Sequence, residues 1–181
     1  LLVNGTLPAD ATYDSYHAIE TREETLKILN SIPELTRVAC DVETNGLDPL
    51  QCKLLTIQLS WEEGSGYAFK WSNLLPEEWE EYLLKWKLIF QNGSFDTKVL
   101  AVHGVDVRIT EDTMLMHSLV DETSGTHSLE AMSRNYLNLD KWEEMVDYSN
   151  MELEEFQTMG VYGARDTDLT LQLANHFTPL V

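Results

Sequence analysis

Residues 37–44 read Arg-Val-Ala-Cys-Asp-Val-Glu-Thr, an apolar, β-prone run interrupted by two carboxylates, Asp41 and Glu43. Residues two apart in a strand project to one face, so both acids stand on the same side. Neighbouring carboxylates repel unless they share a proton or a cation, and a hard divalent cation is the common solution. The next residues, Thr44-Asn45-Gly46-Leu47-Asp48-Pro49, are turn formers, which puts the pair at the carboxyl end of the strand. Ligands and catalytic groups gather at that end in open α/β sheets. An Asp-x-Glu pair alone is a weak signal, because most such pairs are merely solvated. The rest of the chain has to supply its partners.

Composition limits the classes. A chain of 181 residues is enough for one domain with a real core. No apolar run approaches the roughly 20 residues of a membrane helix, so no membrane association is expected. Leu1-Leu2-Val3 lacks the basic flank and long apolar stretch of a signal peptide. The missing initiator Met suggests a piece of something longer. Cys40 and Cys52 match no zinc or redox spacing, and Cys40 reads as a small buried residue. A cytoplasmic or other reducing intracellular compartment is the expectation. The net charge of −19 argues against a phosphate-binding surface. An enzyme that grips nucleic acid through metal ions, backbone amides and stacking escapes that argument. Much of the acid also falls in helix-like runs such as Glu77-Glu78-Trp79-Glu80-Glu81, which read as solvated faces.

Residues 1–15 read as an irregular arm and 16–181 as one domain. Tyr16 to Ile19 forms a short strand, and a helix from Arg22 to Asn30 is capped by Thr21. Lys53 to Trp61 alternates apolar and polar residues and predicts a half-buried strand, which Gly64-Ser65-Gly66 turns into Tyr67-Ala68-Phe69 as a hairpin. A helix runs from Pro76 to about Trp86, with Trp79, Leu83 and Trp86 facing inward. Leu88 to Phe90 is a strand, a helix covers Thr97 to His103, and Val105 to Ile109 gives one more strand. Helices follow near 113–119, 128–137, 152–159 and 162–177. Interleaved strands and helices ending in a helical second half define an α/β fold around one mixed sheet.

Two further sites join the carboxylate pair. Asp96 follows a short apolar strand in Asn92-Gly93-Ser94-Phe95-Asp96. Tyr162-Gly163-Ala164-Arg165-Asp166 opens the last helix and places Tyr162 and Asp166 on one face. Asp168 falls about 200° round from Asp166 and faces elsewhere. Four carboxylates from three elements, with one tyrosine, suit two-metal phosphodiester hydrolysis, in which ions about 3.5–4 Å apart clamp the attacking and leaving oxygens. Mg²⁺ and Mn²⁺ favour such hard oxygen ligands. The five histidines show no ligand spacing.

In this combination the chain resembles the 3′–5′ proofreading exonuclease domain of family A (DNA polymerase I-like) DNA polymerases, of the DEDD class with tyrosine. Asp41-Val42-Glu43-Thr44 resembles the first motif, Asn92 to Asp96 the second, and Tyr162 to Asp166 the third. Thr167 to Leu173, Asp112-Thr113-Met114 and His127-Ser128-Leu129 also fall where the family has like sequences. The resemblance implies a ribonuclease-H-like fold, two divalent cations, Mg²⁺ or Mn²⁺, and a 3′ end of DNA, single-stranded or frayed, as substrate. It also implies a polymerase domain or subunit as partner. By the same resemblance Asp41 bridges the ions, Glu43 and Asp166 complete the site of the attacking water, Asp96 supports the second ion, and Tyr162 orients the nucleophile. Thr44 holds the terminal nucleotide, Leu47 is an apolar wedge between the last bases, Asn92 lies near the strand, and Trp142 stacks on a base.

Two departures from the family stand out. Arg165 occupies a position where the family carries an acid, and the 121–127 loop lacks the basic residue expected there. Val161 stands where a histidine-type relative would place its histidine, which favours the tyrosine subclass. Two alternatives stay open: an RNase D-like exoribonuclease, since 2′-OH discrimination depends on pocket shape, and a non-catalytic exonuclease fold that only binds.

Overall fold

A computed structural model describes residues 15–139 and 155–181 of the chain. Six strands form one mixed sheet: β1 (Tyr16–Ile19), β2 (Arg37–Thr44), β3 (Leu54–Ser60), β4 (Gly66–Lys70), β5 (Lys87–Phe90) and β6 (Glu111–Asp112). Their order is β1-β4-β3-β2-β5-β6, with β2, β3 and β4 antiparallel in sequence and parallel pairs at β1–β4, β2–β5 and β5–β6. The helices are α1 (Arg22–Asn30), α2 (Pro76–Leu83), α3 (Ser94–Val102), α4 (Thr113–Val120), α5 (Leu129–Leu137) and α6 (Phe156–Phe177).

Alternation along the strands divides the core. Val38, Cys40 and Val42 of β2 join Leu29 of α1, Trp79 and Leu83 of α2, and Val99 and Leu100 of α3 on one face. Ala39 and Ile89 meet Leu171 and Ala174 of α6 on the other. The sheet is therefore sandwiched between α1–α3 and a second layer in which α5 and α6 pack through Met132, Leu173 and Phe177. Both cysteines are buried free thiols. No described helix is long and apolar enough to cross a membrane.

Several boundaries differ from the sequence reading. The strand around Lys53–Trp61 is not half-buried: Thr56, Gln58 and Ser60 are as buried as Ile57 and Leu59, because α6 lies across the polar side. The helix beginning at Pro76 stops at Leu83 rather than Trp86. There the Lys85 carbonyl accepts from Leu35 N–H, and Lys87 N–H donates to the Thr36 carbonyl, drawing the chain into β5 beside β2. Residues 105–109 form no strand, although Val105 and Val107 are buried. The ladder with β5 begins only at Ile89 opposite Glu111, leaving the earlier residues no strand to pair with. The third helix begins at Ser94 rather than Thr97, which puts Asp96 in its first turn. The two helices expected near 152–159 and 162–177 are one helix from Phe156, so Tyr162 sits in its second turn instead of opening it. Glu152 to Glu154 lie outside the described residues.

Small residues seat α6 on the sheet. A Cβ added to Gly66 of β4 would lie 2.3 Å from the Ala164 carbonyl oxygen. One added to Gly160 would lie 3.0 Å from Ala18 Cβ and 3.1 Å from Ala68 Cβ. A glycine inside a helix costs about 1 kcal/mol relative to alanine, and here the return is close approach of helix to sheet.

Candidate active site

Asp41 and Glu43 emerge from β2 on the α6 side, as Ala39 does two residues earlier. A register shift between Glu43 and Thr44 marks a bulge just past the pair, a feature common beside active sites, where it re-aims side chains. The chain then closes tightly. Thr44 Oγ1 donates to the Gly46 carbonyl at 2.7 Å, Lys53 N–H donates to Asn45 Oδ1 at 2.7 Å, and Leu50 N–H donates to Asp48 Oδ1 at 2.9 Å. This folded loop holds Leu47 outward with 94% of its surface exposed. A core contact for Leu47 is thereby excluded.

Asp96 arrives from α3. It is 4% exposed, and its Oδ1 accepts the Val42 N–H at 3.1 Å. Pairing of β2 with β5 ends at Ala39, so Asp96 takes a strand amide that the neighbouring ladder has left behind. Gly93 sets this turn, because a Cβ there would lie 2.5 Å from Phe90 Cβ. Asn92 holds a left-handed φ of 54°, and its side chain is exposed. Asp112 anchors both residues, accepting Asn92 N–H at 3.1 Å and Gly93 N–H at 2.8 Å while also capping α4 through Met114 N–H at 3.0 Å.

Asp166 is half-buried on α6, one turn after Tyr162, which is buried. The four acids converge. Asp41 lies close enough to Asp96 and to Glu43 to share a proton with either, and the charges of Asp41, Asp166 and Asp96 all act on Glu43. Burial, then the Asp41 charge, holds Glu43 well above the ordinary carboxylate range. Asp96 is raised for the same two reasons, in the same order. Burial raises Asp41 as well, and its hydrogen bonds with Asp96, Val42 and Glu43 oppose that shift. Such a cluster either shares protons or accepts cations. Every donor is a carboxylate oxygen, the ligand type of Mg²⁺ and Mn²⁺, so the donor set fits a hard divalent ion. Among the described residues no three acids, histidines or cysteines are already spread in ligand geometry; the acids crowd one another instead.

Asp168 faces away from this cluster, as its helical angle predicts. Its Oδ2 accepts from Tyr16 Oη at 2.6 Å and Gln172 Nε2 at 2.9 Å, and its Oδ1 from Gly64 N–H at 2.9 Å. This carboxylate ties β1 and the β3–β4 turn to α6. Arg165 is half-buried, and its charge acts on Tyr16. His117 is buried and bonded to His127 at 2.7 Å and to Tyr136 at 3.0 Å, a packing arrangement. Trp142 lies outside the described residues.

Gln58 was not singled out by the sequence. It stands opposite Asp41 in the β2–β3 register, with Thr56 opposite Glu43, so both belong to the floor of the site. Its polarity within an alternating strand reads as solvent-facing. Gly160 and Gly163, three apart in one helix, were the available sign that the strand's polar side is covered.

A mixed sheet covered by helices on both faces, with acids at the carboxyl end of a central strand, is the ribonuclease-H-like α/β fold. A family model described as 3′–5′ exonuclease, of the DNA polymerase A type, matches residues 16–181, and the chain belongs to that family. It is 28% identical over 181 residues to DNA polymerase I of Borreliella burgdorferi, covering 90% of this chain and 19% of the polymerase. It is 31% identical over 174 residues to the DNA polymerase of Escherichia phage T5, covering 80% and 20%. The chain thus spans about a fifth of the length of these relatives. Among solved structures, Escherichia coli RNase D, an exoribonuclease, superposes with a TM-score of 0.70 at 16% identity, over 90% of this chain and 44% of that one. Brucella melitensis NrnC with bound Mg²⁺ gives 0.57 at 19%, over 89% and 81%. These two likenesses are of fold.

Proposed function

We propose that this chain is a 3′–5′ exodeoxyribonuclease that removes nucleotides from a single-stranded or frayed 3′ end of DNA, releasing 5′-mononucleotides with the help of two Mg²⁺ or Mn²⁺ ions. The observation that carries the reading is the convergence of Asp41, Glu43, Asp96 and Asp166 from β2, α3 and α6, in which the charges of Asp41, Asp166 and Asp96 raise the cost of ionising Glu43 and the Asp41 charge that of ionising Asp96. Divalent ions held there supply charge stabilisation for an in-line phosphodiester displacement and a more acidic attacking water. Asp41 would be the acid shared between the ions. Glu43 and Asp166 would hold the ion beside the attacking water, and Asp96 would support the other. Tyr162, one turn from Asp166, orients that water. The exposed Leu47 wedges between the terminal bases, the main chain at Thr44 holds the terminal nucleotide, and Asn92 lines the strand's path. Trp142 keeps its role as a stacking residue on the family resemblance alone.

DNA is favoured because the sequence relatives are DNA polymerases. Those relatives also support a polymerase region, covalent or separate, as partner of residues 16–181; residues 1–14 lie outside the described residues. Two buried free thiols suit a reducing compartment. The second reading, an exoribonuclease, is favoured by the superposition on RNase D. Digestion of 5′-labelled single-stranded DNA beside a matched RNA, in Mg²⁺, Mn²⁺ and EDTA, with Asp41→Ala in parallel, tests both. A metal-dependent ladder from the 3′ end of DNA, absent in the variant, is the expected result. A ladder on RNA alone would install the second reading, and cleavage of neither would leave a binding module.

A further inference from the structure

We propose that Gln58 is the spacer that fixes the height of α6 above the carboxylate strand, and that position 163 is glycine because this spacer fills the space a side chain would need. The inference rests on reading the four acids as the metal-holding site. Gln58 is 1% exposed and lies opposite Asp41 on β3. Its Nε2 donates to Thr56 Oγ1 at 2.6 Å, which fixes the amide against the residue opposite Glu43. Above it, a Cβ on Gly163 would lie 3.0 Å from Gln58 Nε2 and 3.1 Å from its Cγ and Cδ. Gly163 belongs to the helical turn that carries Tyr162 and Asp166. The amide therefore stands between the strand bearing Asp41 and Glu43 and the helix turn bearing the other half of the site.

Gln58 does not earn its place by its own hydrogen bonding, because its buried Oε1 has no partner among the described residues. An apolar side chain of similar size would avoid that cost. What the amide supplies is thickness and a fixed orientation. Gln58 is a positioning residue, and it acts through the distance between Asp166 and the β2 acids.

The test is calorimetric titration of Mn²⁺ into the wild type, Gly163→Ala, Gln58→Ser and the double variant, with thermal melts and exonuclease rates alongside. Gly163→Ala lifts the helix and Gln58→Ser removes its support. Each is expected to weaken Mn²⁺ binding about 10-fold, as loss of a supporting residue behind a metal site commonly does, and to lower kcat more than it changes KM for DNA. The double variant, in which the added methyl occupies the space the amide vacates, recovers affinity beyond either single one. Wild-type Mn²⁺ affinity in both single variants, with only the melting temperature changed, overturns the proposal. If Gly163→Ala does not fold, unchanged Mn²⁺ affinity in Gln58→Ser alone does so. A wild type that binds Mn²⁺ yet cleaves nothing would refute the nuclease reading, while the Mn²⁺ titrations still decide the spacer.

Discussion

The Val42 main-chain N–H donates to the Asp96 carboxylate, 54 residues away in sequence, at 3.1 Å. One side chain thereby completes the hydrogen bonding of the central strand and contributes an acid to the site. The two duties separate by substitution. Asp96→Asn keeps an acceptor for Val42, whereas Asp96→Ala leaves a buried amide unpaired at a cost of about 1–3 kcal/mol. Denaturant melts should rank the alanine variant below the asparagine variant by that amount. On the proposed reading of Asp96 as support for a catalytic ion, both should lose at least about 100-fold in exonuclease rate, because such an ion stabilises the transition state by several kcal/mol.

Glu43 and Asp96 are held above their ordinary values by burial and by the Asp41 charge. Between the ordinary carboxylate range and those raised values, the folded protein binds more protons than the unfolded chain. Metal-free stability therefore rises as pH falls through the raised values and levels off below the ordinary range. Melting curves in EDTA from neutral to mildly acidic pH check the sign. Glu43→Gln should melt higher than the wild type at neutral pH in EDTA and show a flatter profile, while its nuclease activity is lost. A wild-type melting temperature that falls steadily over this window would contradict the raised values.

Metal ions compete with those protons. Mn²⁺ affinity should weaken as pH falls, and titrations in buffers of different ionisation enthalpy should reveal protons released on binding. Equal affinity at neutral and mildly acidic pH would mean that the acids are already ionised in the free protein.

Leu47 gives up almost no contact within the fold, so Leu47→Ala should leave the melting temperature unchanged. If it wedges between bases, it buries on binding, and removing it should raise KM for single-stranded DNA about 10-fold, the equivalent of losing most of a buried leucine. An unchanged KM would reduce Leu47 to a turn residue.

Asp168→Ala should do the reverse. It strips the acceptor from Tyr16, Gly64 and Gln172 and should destabilise the protein by about 1–3 kcal/mol. Turnover of the folded fraction should stay at the wild-type value, because this carboxylate faces β1 and not the cluster.

The parts of the site that sequence revealed were those fixed by local periodicity. The two-residue repeat of a strand put Asp41 and Glu43 on one face, and helical spacing paired Tyr162 with Asp166 while turning Asp168 away. What escaped depended on how elements stack. Alternation in β3 says only that one side is polar; whether water or a helix covers Thr56 and Gln58 is decided by a segment a hundred residues later. The missing strand at 105–109 failed for a similar reason, since a ladder needs a neighbour long enough to receive it. Helix α6 read as two helices with Gly160 in the gap between them, whereas the close approach to Ala18 and Ala68 that this glycine permits belongs to one continuous helix.

The glycine seam has a bearing on timing as well as on geometry. Because α6 is seated directly on the sheet backbone at Gly66, the four acids are gathered as the chain folds, before any ion arrives. The work of crowding like charges is done once, in folding, and is not repeated at each encounter with a cation. Loading a cation then asks the crowded side chains to give up shared protons and spread, with no rearrangement of the backbone, and stopped-flow mixing with Mn²⁺ should show no phase slower than proton release.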